Sequence, residues 1–339
     1  MPTDDFVSRS HILHRPFAAR PLNIVRGDGI RLVLENGRSI IDASCGPSVS
    51  CIGHTQPEIT EAITAHLHNN IAYVYSGSPH ANSATEELAR TLLADKPGGL
   101  CKVIFVNSGS EATDAALKLA VQYWNEKGQP QRTRFIARKQ SYHGNTIGAL
   151  CVSGHESRRA FYQDFMSSNV SFVDPCYAYR MKGDQETDEE FVARLARQFE
   201  DEILRLGPEN VAGFVAETVS GPTLGCAPVV PGYFRAVRDI CDRSCVEWGK
   251  TGTMHAWEQE GIRSPDIQTI GKALGAGFVP LSGVLLYEKI FDALSAAGSG
   301  GLAHGHTFQA HPLACAAALA AQKIIKRDNL IERVGSHGK

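Results

Sequence analysis

The chain has no cysteine pair at zinc or redox spacing, no excess of either charge, no long apolar run and no internal repeat. Each absence removes a class of protein. Nine cysteines are scattered through 339 residues, the closest pair being Cys241 and Cys245. Without a CxxC or Cys/His zinc pattern, they read as reduced thiols of a cytoplasmic protein. A formal net charge of −2 gives nucleic acid or a membrane surface no electrostatic hold. The apolar stretch 313–325 is short and contains Gln322 and Lys323, so it reads as a buried helix rather than a span. The first residues are mixed and charged, unlike a signal peptide. No G-x-G-x-x-G is present. Gly249-Lys250-Thr251 could end a Walker A loop, but Ser244 stands where its first glycine must be, and no apolar strand precedes it.

What remains is an ordinary globular composition, 43% hydrophobic and 21% charged, long enough for a large core and a smaller one. Asp28-Gly29 and Asn36-Gly37 are hairpin signals and predict a small antiparallel sheet over 20–45. Pro57 near a first helical turn predicts a helix to Asn69. From about residue 84 strands and helices alternate, which predicts an α/β fold with a largely parallel sheet. The strands fall at 103–106, 134–138, 170–173, 211–216, 267–270 and 283–287. The helices fall at 84–94, 111–126, 188–206 and 231–242. The polar stretch 180–190 reads as a surface loop and helix start.

Three segments carry chemistry. In 266–277 a β-favouring run leads into Lys272, followed by small residues and glycines. A lysine on a cleft floor loses pKa by burial and offers a neutral amine for a Schiff base. The plain alternative is a solvated strand-end lysine. In 103–112 a strand ends at Asn107, and Ser108-Gly109-Ser110 open a helix with a Ser108/Glu111 capping box. Free N–H groups and the helix dipole there suit an anion, although an ordinary capped helix looks the same. In 140–146 Tyr142 and His143 sit beside Gly144 just past a strand, suiting a planar ring laid on the backbone, or simply a polar turn. Ligands of open α/β sheets bind at the carboxyl ends of strands. Asn107, Tyr142, Glu217 and Lys272 all follow strands directly, so they could converge.

A phosphate cradle, a stacking ring and a Schiff-base lysine together suit pyridoxal 5'-phosphate (PLP). On these residues the chain resembles the class III aminotransferases, PLP enzymes of fold type I. The likeness runs in order through "NGRSIIDASCGPSVSCIGHTQPEI" (36–59), "VNSGSEATDAALKLA" (106–120), "SYHGNTIGAL" (141–150), "VAETVSG" (215–221), "PDIQTIGKALGAGFVPLSGVL" (265–285) and "GHTFQAHPLACAAALA" (305–320). It implies Lys272 as the Schiff-base residue and proton carrier, with Ser108, Gly109 and Ser110 on the phosphate. Tyr142 would stack on the ring with His143 beside it, and Glu217 would orient the ring surround. Thr307 would reach a partner subunit's phosphate, so a homodimer is expected. The implied division is 1–75 as the start of a small domain, 76–310 as the large PLP domain, and 311–339 as the start of a connecting helix without the family's C-terminal subdomain.

The family's D-E-V-x-x-G-x-G-R-x-G segment is not matched. Its aspartate ends a central strand and faces the pyridine nitrogen; here 241–253 stands instead, and one central strand is expected to be missing. Asp242 and Glu247 are the nearest acids. Asp242 continues a helical stretch, and Glu247 has no predicted strand to carry it. A gap or filler is therefore expected near 241–253. Pro222 stands where the ornithine and GABA branch has a glutamate, which weakens an ω-amine reading. The sequence leaves open an aminotransferase, a shortened non-catalytic relative, and another PLP reaction such as decarboxylation or amino migration.

Overall fold

Hairpin chemistry builds the first layer. β1 (Ile24–Asp28), β2 (Arg31–Leu34) and β3 (Ser39–Ile41) form an antiparallel meander in that order. Gly29 and Gly37 make its turns at φ of +55° and +82°, where a side chain would be strained. This is a computed structural model, and it describes residues 10–15, 21–94, 96–244, 247–249, 255–296 and 298–337. Residues 245–246 and 250–253 of the unmatched stretch, with Cys245 and Lys250, lie outside the described residues.

Beyond the helices α1 (Pro57–His68) and α2 (Ser83–Leu92), strands and helices alternate as the sequence predicts up to residue 244, after which three strands follow one another without an intervening α-helix among the described residues. β4 (Leu100–Val106) leads into α3 (Gly109–Glu126). β5 (Arg134–Arg138) is followed by the short helices α4 (Ile147–Cys151) and α5 (Glu156–Arg159). β6 (Val170–Val173), α6 (Asp188–Leu206), β7 (Val211–Val215) and α7 (Tyr233–Ser244) come next. β8 (Glu247–Gly249), β9 (Ile267–Ile270), β10 (Ser282–Tyr287), α8 (Glu288–Ala296), α9 (Pro312–Arg327) and α10 (Leu330–His337) complete the order.

The strands hydrogen-bond in two groups, β6-β5-β7-β8 and β4-β10-β9. The first is parallel throughout. In the second, β10 runs antiparallel to both neighbours, so β4 and β9 run the same way. The sheet is thus largely but not wholly parallel. A three-residue strand does lie in the unmatched segment: β8 pairs with β7 through Gly213–Glu247, Phe214–Trp248 and Val215–Gly249. This corrects the expectation that Glu247 has no strand to carry it. β8 and β9 touch but share no ladder among the described residues, so the seam in the sheet falls between them.

One helix closes that seam. Ala112, Ala115, Leu119 and Tyr123 of α3 share a core with Val106 of β4, Phe135 and Ala137 of β5, Ala212 of β7, Ile267 of β9 and Val284 of β10. The Trp124 indole N–H donates to the Ala212 carbonyl at 2.9 Å. On another cluster, Phe191, Phe199, Phe214 and Phe234 are almost wholly buried with α6 and α7. Each such side chain contributes roughly 1.5–3 kcal/mol on burial. Hydrophobic packing, which needs no ladder, therefore holds the two strand groups together.

Candidate active site

Strand register sets where the site lies. Phe105 of β4 and Ile270 of β9 both pair with Gly283 of β10. The two parallel strands thus end level, and Asn107 and Lys272 each follow two residues later. A Cβ added to Gly271 would stand 4.0 Å from the Gly109 Cα and 2.6 Å from the Ser282 Oγ. The residue before the lysine therefore lies against the first turn of α3.

That turn is built as an anion site. Ser108 is the N-cap of α3, its hydroxyl accepting from the Glu111 N–H at 3.2 Å. The reciprocal half of the predicted capping box shifts by one residue: Glu111 Oε2 accepts from the Asn107 N–H at 2.7 Å. Gly109 and Ser110 occupy the turn whose N–H groups have no intrahelical acceptor. A Cβ on Gly109 would meet nothing within 4 Å, so open space lies before the helix dipole.

The segment after β5 folds over this turn. Asn145 N–H donates to Ser110 Oγ at 2.9 Å, and Thr113 Oγ1 donates to the His143 carbonyl at 2.7 Å. A Cβ on Gly144, at φ +144°, would come within 2.9 Å of Ser110 Cα, so only glycine fits there. Tyr142 is half-buried and His143 buried. Tyr142 N–H donates to Glu217 Oε1 at 2.8 Å. Arg138 Nη2 donates to Glu217 Oε2 at 3.3 Å and also to the Glu217 carbonyl. His143 Nε2 stands 4.0 Å from Glu217 Oε2, and the His143 N–H donates to Ser153 Oγ at 2.8 Å. Glu217 thus fixes the loop bearing Tyr142 from the end of the neighbouring strand.

Lys272 differs from its expectation in one respect. It is exposed within this chain rather than set on a cleft floor. Its turn carries it beyond the sheet edge, at a φ of +51° that a non-glycine residue rarely adopts. Such a conformation costs on the order of 1–3 kcal/mol and concentrates at working sites. Thr307 is also exposed. Its carbonyl accepts from the Tyr73 hydroxyl, beside the Tyr73–Phe308 ring contact, and it makes no hydrogen bond to the Ser108–Ser110 turn among the described residues.

PLP would fit the cradle and the lysine: the hydroxyls and N–H groups of the turn face open space, and the residue before the lysine lies against that turn. The two candidate acids for its ring nitrogen fit less well. Asp242 pairs with Arg238 at 2.5 Å and Arg263 at 3.2 Å, both of which also hold Asp266. Asp266 precedes β9 whereas Lys272 follows it, so Asp242 lies a strand length away, ~13 Å for four residues. Glu247 pairs with Gly213, two residues short of the strand end; the residue level with Val215 is Gly249.

Sequence reasoning missed Arg138 and Arg158. Arg138 ends a strand with a side chain only 1% exposed, and its signal was a charge closing an apolar run beside another strand-end acid. Arg158 Cζ lies 4.7 Å from the Tyr142 ring centroid, a contact that spacing alone does not show.

Comparison with known proteins agrees with this geometry. The family described as aminotransferase class-III matches residues 14–339. An uncharacterized aminotransferase of Schizosaccharomyces pombe is 45% identical over 99% of this chain and 74% of its own length. A gamma aminobutyrate transaminase 3, chloroplastic, of Solanum lycopersicum is 34% identical over 96% of the chain and 66% of its own. The chain spans about two thirds to three quarters of the length of these relatives. An omega transaminase from Pseudomonas jessenii in complex with PMP superposes with a TM-score of 0.87 at 29% identity, over 92% of this chain and 70% of that one. An (S)-enantioselective omega-transaminase from Thermomicrobium roseum gives 0.87 at 32%, over 96% and 74%. The fold is that of these enzymes, and the chain belongs to the class-III aminotransferases, which work with PLP.

Proposed function

We propose that this chain moves an amino group from an amino acid or amine to a 2-oxo acid or aldehyde, with Lys272 as its reacting residue. One observation carries the reading: Gly271 abuts Gly109, so the lysine and the helix N-terminus converge on one space. PLP, when bound, supplies an electron sink for the bond broken at the substrate Cα. Ser108 Oγ, Ser110 Oγ and the N–H groups of Gly109 and Ser110 bind its phosphate. Tyr142 stacks against its ring, and Glu217 keeps Tyr142 in place. Lys272 Nζ would take the Cα proton as general base and, as general acid, return it on the far side of the amino nitrogen, two bonds from where it left.

A homodimer in a reducing, cytoplasmic compartment belongs to the same proposal. The exposure of Thr307 supports the first part, since it leaves that residue open to a second subunit. The scattered thiols support the second. Borohydride reduction of the PLP-loaded protein, digestion and mass spectrometry test the reading. The pyridoxyl mass is expected on Lys272, and Lys272→Ala is expected to abolish turnover. Label on Lys289 instead overturns the assignment.

A further inference from the structure

One of the largest fully buried side chains among the described residues is charged: Arg138, at the end of β5. A guanidinium gives up costly hydration there. Its Cζ lies 5.7 Å from the Phe234 ring centroid and 6.0 Å from that of Tyr233, both in α7, and an apolar side chain among these rings would incur no such loss. What the charge does is visible in its partners. Arg138 Nη2 donates to the Glu217 carbonyl and, at 3.3 Å, to Glu217 Oε2, so it grips the residue after β7 by backbone and carboxylate together. Glu217 Oε1 in turn accepts from the Tyr142 N–H at 2.8 Å. Tyr142 is only four residues beyond Arg138, whose own carbonyl accepts from Ser141 Oγ at 2.6 Å. The loop is therefore tied to one arginine twice, directly at its root and through Glu217 at Tyr142. A carboxylate holds an N–H roughly twice as strongly as a neutral acceptor does.

We propose that Arg138 is a positioning residue of this site, setting through Glu217 the backbone from which the Tyr142 ring meets the cofactor. It touches neither substrate nor cofactor in this role. The proposal rests on the reading above, in which Tyr142 stacks on the PLP ring. It divides cofactor binding into two separable halves. The turn that takes the phosphate is set by α3 and its Ser108 cap on the Glu111 N–H. The residue that takes the ring is set by Arg138 from β5. Loosening the second half is felt by the ring and not by the phosphate.

The test reads PLP uptake by cofactor absorbance, and inorganic phosphate as a competitor of that uptake, in wild type, Arg138→Met, Tyr142→Ala and the double variant. Arg138→Met is expected to weaken PLP binding about ten-fold, the scale of one lost charge-assisted bond. Its phosphate constant should move less than about two-fold, since phosphate uses the helix turn alone. In the Tyr142→Ala background Arg138→Met should add less than about two-fold, because the ring it positions is gone. Arg138→Lys, which keeps the cation, should recover part of the loss. Parallel losses of PLP and phosphate, or the full loss repeated without Tyr142, would make Arg138 a general support and overturn the proposal. If circular dichroism shows Arg138→Met unfolded, Arg138→Met combined with Glu217→Gln, which strands no buried charge, is read by the same criteria. Wild type that takes up no PLP overturns the cofactor reading and the proposal together; uptake unchanged by Arg138→Met overturns the proposal alone.

Discussion

Arg238 Nη1 donates to Asp266 Oδ2 at 2.8 Å, tying the helix packed on one strand group to the residue that opens the strand before Lys272 in the other. Asp266 has no exposed side-chain surface and also holds Arg263 at 3.1 Å and Lys289 at 2.9 Å. This cluster spans the seam that no β-ladder crosses among the described residues. Removing one partner of a buried pair strands the other charges, at ~3–5 kcal/mol. Asp266→Ala is therefore expected to lower the denaturant midpoint sharply, as read by circular dichroism. Asp266→Asn, which keeps two polar atoms, is expected to cost less.

Asp242 belongs to the same cluster but lies at its half-exposed rim. Asp242→Asn is expected to leave PLP affinity unchanged, measured by cofactor absorbance during titration, with only a small loss of thermal stability. A large loss of affinity would bring Asp242 back as the acid facing the ring nitrogen.

Glu217 supports both the Tyr142 loop and the buried Arg138 guanidinium. Glu217→Ala is expected to destabilise the fold by ~3–5 kcal/mol, because Arg138 is left buried without its carboxylate. Glu217→Gln can still accept from the Tyr142 N–H, so it is expected to retain most of the stability. The two variants compared in urea unfolding separate charge from hydrogen bonding.

If Thr307 completes the site of a second subunit, each site draws on two chains. Lys272→Ala and Thr307→Ala proteins, each weak alone, are expected to regain activity when refolded together, through hybrid dimers with one intact site. No recovery in samples shown by native mass spectrometry to contain heterodimers would count against shared sites.

The sequence by itself determined most elements, and for a local reason. β5, β6, β9 and α6 fall on the predicted residues because apolar period, glycine stops and caps act within a few positions. The turn of Ser108–Ser110 and the lysine after β9 were legible in the same way. Tertiary structure decided what depends on other strands. The pairing of 247–249 with β7 depends on an edge left open by β7, not on the composition of Glu247-Trp248-Gly249. The exposure of Lys272 depends on a positive-φ turn at the sheet edge. Arg138 with Glu217, and Arg158 with Tyr142, are joined by register and packing, which bring together residues 79 and 16 positions apart. Local propensity fixes where a strand ends; only the packed sheet fixes which strand ends meet.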